Sequence, residues 1–117
     1  MSFADTVANL RDCPGVLMTS IAARDGIAVQ NWGGARGEID EIIAEYSNFL
    51  REVSTANREL QLGDLEQVMV TAQRRQILVT SITPEYFLLV VMERDGNSGK
   101  ARFASRVAAF RLREELS

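Results

Sequence analysis

Apolar and polar positions alternate with two different periods along this chain, and the changes of period predict the element order α-β-β-α-β-β-β-α. Apolar residues at helical spacing predict helices over residues 2–12, 36–60 and 98–116, with Ser2 and Ser98 as the expected caps of the first and the last. Shorter apolar segments predict five strands, which cover about residues 16–24, 27–32, 65–72, 76–83 and 86–94.

Turn residues and fully apolar runs indicate how these elements assemble. Asp25-Gly26 is a strong hairpin signal because both residues tolerate positive φ, and Pro84 suits the turn between the last two strands. The runs 77–79 and 87–92 are apolar without alternation, which is typical of strands that are covered on both faces. Residues 1–117 are therefore expected to form one α/β domain. It would have a single five-stranded sheet, with the long helix on one face and the two terminal helices on the other.

Composition and charge limit the chemistry that the chain can perform. The net charge of −3 argues against nucleic acid as a partner, and the lack of His removes the commonest general base and metal ligand. Cys13 is the single cysteine, which excludes an internal disulfide and a cysteine metal cluster, so we expect it to fill the core or a loop. Because the sequence offers no nucleophile–base pair either, we expect no active site and no cofactor.

Neither membrane insertion nor export is expected. The longest apolar run, residues 87–92, is much shorter than the about 20 residues of a membrane-spanning helix. The N-terminal region carries Asp5 and Asp12 and lacks a basic segment followed by an apolar stretch, so no signal peptide is expected. The predicted location is the cytoplasm.

Two glycine-rich segments and one basic segment bear on nucleotide and nucleic-acid binding. Residues 33–37 and 95–100 lack the spacing of a phosphate-binding loop and are expected to be turns before helices. The last helix is locally basic, but stacking aromatics are not interleaved with the cations on a sheet, so nucleic-acid binding is not expected. The basic residues in and near this helix are Arg94, Lys100, Arg102, Arg106, Arg111 and Arg113.

Three features together carry a resemblance to a known family. They are the segment Gly15-Val-Leu-Met-Thr-Ser-Ile with Arg24-Asp25-Gly26, the long helix, and the strand triplet that ends in Phe87-Leu-Leu-Val-Val-Met92. Over nearly its whole length the chain resembles the Roadblock family of dynein light chain type, whose bacterial members include MglB-like proteins. The resemblance implies a Roadblock/profilin-like antiparallel sheet in the order 2-1-5-4-3 and a dimer formed through the third strand and the long helix. It also implies that the protein binds or regulates Ras-like small GTPases, or serves as an adaptor subunit.

In that strand order the third strand lies at the margin of the sheet. It contains no Pro and little charge, so its unpaired backbone favours pairing with another chain. We therefore predict that it pairs antiparallel with its own copy, which gives a two-fold homodimer with one continuous sheet. The alternative is a monomer with a solvated edge. The predicted interface residues on this strand are Glu66, Val68, Met69, Val70 and Thr71.

The two flanks of the long helix differ in side-chain size and charge. One flank carries an acidic stripe that repeats every seven residues, with a spacing of about 10.5 Å. The other flank carries Asp40, Ser47 and Ser54, and small side chains allow two helices to approach closely. We predict that Ser47 and Ser54 face the helix of the second copy while the glutamates point outward. The alternative for the glutamates is a solvated stripe without a function. The stripe consists of Glu38, Glu45, Glu52 and Glu59.

The outward side of the long helix is the predicted docking surface for a partner. Exposed ion pairs contribute only about 0.2–1 kcal/mol each, so the acidic rim would steer and select a partner more than hold it. Arg51 and Arg58 occupy positions that an arginine finger could use, although we expect none. The predicted partner-binding residues are Glu41, Ala44, Glu45, Asn48, Arg51, Glu52 and Thr55.

The sequence therefore favours a non-enzymatic homodimer that binds and regulates, or scaffolds, a Ras-like small GTPase that supplies its own nucleotide and magnesium. A first alternative is an assembly adaptor without a GTPase. A second is a small-ligand sensor of the PAS or GAF kind, which would need a pocket between sheet and helix, where the residues are bulky and apolar. Trp32 is a further candidate, either as an interface anchor or as a residue that covers the core.

Overall fold

All eight predicted elements are present in the computed structural model, which describes residues 2–116 apart from the side chain of Arg36. The helices are α1 (Phe3–Arg11), α2 (Arg36–Glu59) and α3 (Ser98–Leu116). The strands are β1 (Val16–Ala23), β2 (Ala28–Trp32), β3 (Gln67–Thr71), β4 (Arg75–Ser81) and β5 (Tyr86–Glu93). Every element begins and ends within about two residues of its predicted bounds, the usual scatter of helix and strand ends.

The strands form one antiparallel sheet in the order β2-β1-β5-β4-β3, which confirms the predicted fold class. β5 is the central strand, and its residues from Phe87 to Met92 are all buried. This burial on both faces explains why the strand is apolar without alternation. β2 and β3 are the two edges of the sheet.

Helices cover both faces of the sheet, as predicted. Residues of β5 alternate between two cores: Leu88, Val90 and Met92 pack beneath α1 and α3, whereas Leu89 and Val91 pack beneath α2. Across residues 2–116 no helix combines the length and the apolar character needed to cross a membrane. The buried residues that α2 supplies to its core are Ile39, Ile43 and Leu50.

The helix caps follow the prediction at one end of the chain and depart from it at the other. The Ser2 hydroxyl accepts a hydrogen bond of 3.2 Å from Asp5 N, which confirms Ser2 as the cap of α1. At α3 the side chain of Asn97 accepts a hydrogen bond of 3.1 Å from Lys100 N, so the predicted cap Ser98 is wrong by one residue. Ser98 is already the first residue of the helix, whereas a cap precedes the helix that it closes.

Candidate functional site

β3 is paired along one side only. It pairs antiparallel with β4 and, in the part of the chain that the structure describes, with no other strand. A hydrogen bond of 2.8 Å from Ser81 N to Glu66 O marks these two residues as a bonded pair of the ladder. Bonded and non-bonded pairs alternate in an antiparallel ladder. The backbone N–H and C=O groups of Gln67, Met69 and Thr71 therefore point away from β4, toward the open edge.

The side chains of β3 are incompletely covered. Val68 packs on the core beneath α2, and Met69 packs on the core beneath α1 and α3, but both are only half-buried. Val70 is half-buried as well, whereas Glu66 and Thr71 are exposed. An edge strand with an unpaired backbone and half-covered apolar side chains is suited to pairing with another strand.

The serine flank of α2 faces the β1–β2 hairpin of its own chain. Ser47 is 4% exposed, and its hydroxyl donates a hydrogen bond of 2.8 Å to Ile43 O. A Cβ atom on Gly26 would lie 3.6 Å from Ser47 Oγ, so the hairpin turn covers this part of the helix. The hairpin thus already buries the Ser47 side chain, which argues against the predicted contact between Ser47 and a second copy.

Ser54, about two helical turns after Ser47, is hydrogen-bonded by Arg24, which lies just beyond the end of β1. Arg24 Nη1 donates to Ser54 Oγ at 3.5 Å, and Nη2 donates to Ser81 Oγ at 2.7 Å. Burial lowers the pKa of the Arg24 guanidinium, and the nearby carboxylate of Asp64 opposes this shift. Ser54 is half-buried as a result, and its hydroxyl is directed toward its own chain.

The opposite flank of α2 leaves apolar surface partly uncovered. Phe49 is 37% exposed, and its ring meets that of Tyr46 edge to face with the centroids 5.8 Å apart. Ile42 and Val53 on the same flank are half-buried. All four residues recur at helical spacing in the sequence, and this spacing alone does not separate the centre of the apolar side from its margins. At 100° per residue these four positions lie beside the acidic stripe. Their angular position around the helix axis therefore identifies them as residues at the margin of its apolar side.

The predicted docking surface on α2 is open to solvent. All seven predicted partner-binding residues and all four glutamates of the stripe are exposed. Arg51 Nη1 donates to Asn48 Oδ1 at 3.2 Å, and the hydroxyl of Thr55 donates to Arg51 O at 2.9 Å. The contact with Asn48 holds a cation in the middle of the surface, with carboxylates on its rim.

The other residues that the sequence singled out contribute to packing. Trp32 is half-buried against the core beneath α1 and α3, so it covers that core. Cys13 is buried, and burial raises the pKa of its thiol, as is typical of a cysteine that fills a core. Within residues 2–116 no group of three or more His, Cys, Asp or Glu is arranged to hold a metal ion.

Two clefts open beside α1. One, of about 270 Å³, lies between α1 and the residues around Trp32, and the other, of about 350 Å³, lies between α1 and α3. Neither cleft is lined by a residue of α2, whereas a sensor of the PAS or GAF kind would need its ligand between α2 and the sheet.

Comparison with known proteins supports the fold. The Roadblock/LC7 domain from Streptomyces avermitilis is 17% identical, with a TM-score of 0.85 over 93% of this chain and 92% of that one. The gliding protein MglB from Thermus thermophilus is 12% identical, with a TM-score of 0.85 over 98% and 90%. MglC from Myxococcus xanthus is 29% identical, with a TM-score of 0.67 over 98% and 99%. A search of curated proteins found no match.

A family model extends this comparison to the sequence. The model described as Roadblock/LC7 domain matches residues 3–92, from the start of α1 to the last but one residue of β5. The match therefore includes the open β3 edge and the whole of α2. On this evidence the chain belongs to the Roadblock/LC7 domain family.

Proposed function

We propose that two copies of this chain form a homodimer by antiparallel pairing of their β3 strands. The observation that carries the proposal is the row of backbone groups on Gln67, Met69 and Thr71 that point away from β4. A two-fold axis at Met69 would place Thr71 of one copy opposite Gln67 of the other. Each outward N–H and C=O group would then gain a hydrogen-bond partner, and the two sheets would become one.

The two α2 helices of such a dimer would approach along the flank that carries Phe49, Ile42 and Val53. This flank has apolar surface left to bury, whereas the serine flank is already held by the β1–β2 hairpin and Arg24. Ser54 is therefore left outside the proposed seam, together with Ser47. The predicted residues Val68, Met69, Val70 and Thr71 of β3 remain in it, together with Glu66 just before the strand.

The dimer would present both long helices on the same side. Antiparallel pairing at a sheet edge relates the copies by a two-fold axis perpendicular to the sheet, so equivalent faces stay together. We propose that a Ras-like small GTPase docks on this shared surface. Its contacts would be the exposed residues Glu41, Ala44, Glu45, Asn48, Arg51, Glu52 and Thr55.

The chain would regulate its partner by binding one nucleotide state more tightly than the other. Only such a difference in affinity can shift an equilibrium between two conformations. The partner would supply the nucleotide, the magnesium and the catalytic groups, so this chain would act without an active site. Its place would be the cytoplasm, where it can meet such a GTPase.

The dimer is tested by removing one outward donor from the edge. In a Thr71→Pro variant the missing N–H faces the second copy and not β4, so the fold should persist while the dimer dissociates. Thr71→Ala keeps the backbone N–H and is the matched control. Light scattering across micromolar concentrations should give twice the chain mass for the wild type and Thr71→Ala, and the chain mass for Thr71→Pro. A monomeric wild type would refute the dimer.

The partner is tested with the Ras-like GTPases of the cell that makes this chain, purified and loaded with GDP or a non-hydrolysable GTP analogue. Titration should show binding to one nucleotide state in preference to the other. The double variant Arg51→Glu/Thr55→Glu should weaken binding while light scattering still reports a dimer, because both side chains are exposed on α2. Absence of binding would favour the adaptor alternative, and binding that the substitutions leave unchanged would place the docking surface elsewhere.

A further inference from the structure

α3 exposes two aromatic rings on the face of the sheet opposite α2. Phe103 is 71% exposed and Phe110 is 67% exposed, so most of each ring is in contact with water. They are seven residues apart, so their Cα atoms lie about 10.5 Å apart along one side of the helix. The half-buried Val107 lies between them, and we call these three residues the aromatic ridge.

Cations border the aromatic ridge on both sides. At 100° per residue Arg102, Arg106 and Arg113 lie on one side of it, and Lys100 and Arg111 lie on the other. All five are exposed, although Arg113 Nε also donates to Ile82 O at 3.0 Å. α3 thus carries five cations against two carboxylates, Glu114 and Glu115.

The two faces of the molecule therefore differ in charge. α2 carries six carboxylates against three cations, which is the reverse of the balance on α3. The net charge of −3 for the whole chain conceals this separation. Attraction acts over about 8 Å at physiological salt, so an anionic surface would approach the α3 face and not the α2 face.

We propose that the aromatic ridge and its cations dock this protein on an anionic lipid surface. Aromatic rings at the crest of a helix with Lys and Arg on both sides are suited to a membrane interface, where the rings enter the acyl boundary and the cations reach the headgroups. A lipid surface moulds itself to a convex ridge. A protein partner would instead need pockets that match two rings about 10 Å apart.

The fold places this ridge where two copies would reinforce each other. Gln67 Nε2 at the open edge donates to Arg102 O at 3.1 Å, so α3 lies close to β3. In the proposed dimer both α3 helices would lie on one side of the joined sheets, and lipid binding would be bivalent. The docking of a single copy does not depend on the dimer, which only strengthens it.

The test is sedimentation of the purified chain with vesicles of phosphatidylcholine alone, or of phosphatidylcholine with about 30% phosphatidylserine, at low and high salt. The informative variants are Phe103→Ala/Phe110→Ala and Arg106→Glu/Arg111→Glu. Each should lower partitioning onto the anionic vesicles about tenfold or more. The matched controls lie elsewhere on the surface: Ile27→Ala, at 65% exposure, and Arg58→Glu/Arg74→Glu, with the same change in charge.

Binding to the anionic vesicles that weakens with salt and depends on both the rings and the cations would support the proposal. It would be overturned by the absence of binding at low salt, or by binding that survives loss of both rings. Ring-dependent binding to soluble polyglutamate as tight as to vesicles would overturn it too, in favour of an acidic protein partner. The Thr71→Pro monomer should still bind, more weakly, which separates this test from that of the dimer.

Discussion

The Arg24 guanidinium donates a hydrogen bond of 2.7 Å to the Ser81 hydroxyl, and this bond joins two strands that are not neighbours. Arg24 follows β1 and Ser81 ends β4, so the side chain crosses the central strand β5. The same guanidinium reaches Ser54 on α2. One partly buried cation thus connects the sheet to the long helix at the end where the β1–β2 hairpin turns.

Replacement of Arg24 by Met should destabilise the fold. The variant keeps an apolar stem but loses the hydrogen bonds to Ser81 and Ser54, which should lower the free energy of unfolding by about 1–2 kcal/mol. Urea denaturation of the monomeric Thr71→Pro background would measure the change without a contribution from dimerisation. The control Arg58→Met lies on the exposed side of α2 and should change stability by less than about 0.5 kcal/mol. Equal effects of the two substitutions would contradict the role assigned to Arg24.

Gly15 and Gly63 form a matched pair for separating backbone conformation from steric space. Their φ angles are +91° and +92°, but a Cβ on Gly15 would overlap Gly96 Cα whereas a Cβ on Gly63 would meet nothing within 4 Å. Gly63→Ala should therefore lower the free energy of unfolding by about 1–2 kcal/mol, which is the cost of an alanine in a left-handed conformation. Gly15→Ala should lower it by clearly more, because the added Cβ would also overlap Gly96. Thermal unfolding of both variants measures the difference. Similar melting temperatures would show that the loop around Gly96 yields without cost.

Substitution of Phe49 tests which flank of α2 lies in the proposed dimer seam. Its ring is 37% exposed in the single chain, so Phe49→Ala should raise the dissociation constant of the dimer by about tenfold while leaving the monomer folded. Phe103→Ala removes a more exposed ring from the opposite face and should leave the dimer unchanged. Analytical ultracentrifugation gives both constants. An unchanged constant for Phe49→Ala would place the seam elsewhere on the helix.

Ser105 and Ser20 are both fully buried but differ in hydrogen bonding. Ser105 Oγ has no partner within residues 2–116, whereas Ser20 Oγ donates to Asn31 Oδ1. Ser105→Ala removes an unpaired hydroxyl and should raise the free energy of unfolding by about 0.5–1 kcal/mol, whereas Ser20→Ala should lower it by about 1 kcal/mol. Chemical denaturation compares the two. A destabilised Ser105→Ala variant would indicate that this hydroxyl is paired in solution.

Local signals were sufficient to predict the helices and strands, whereas the strand order of the sheet came from the resemblance to the Roadblock family. The Asp25-Gly26 turn and the uninterrupted apolar run of β5 depend on neighbouring residues alone, and both are confirmed by the hairpin and by the burial of the central strand. The open β3 edge follows once the strand order is known.

Side-chain surroundings were harder to predict because they depend on distant segments. The small size of Ser47 suggested a helix–helix contact, yet the hairpin turn at Gly26, about twenty residues earlier, covers it. For the same reason the exposure of Phe103 and Phe110 was not predicted, because their spacing on α3 is equally compatible with a buried stripe. Periodicity gives the angle between two residues on a helix but not the direction in which their shared face points.

The central place of β5 has a consequence for how the chain folds as it is made. β1 leaves the ribosome early, but its partner on the inner side is encoded some seventy residues later, from Tyr86 onward. Until then the inner edge of the apolar β1–β2 hairpin has no strand to pair with, and such an unpaired edge favours aggregation. Translation of β5 is therefore the step that commits this domain to its native state.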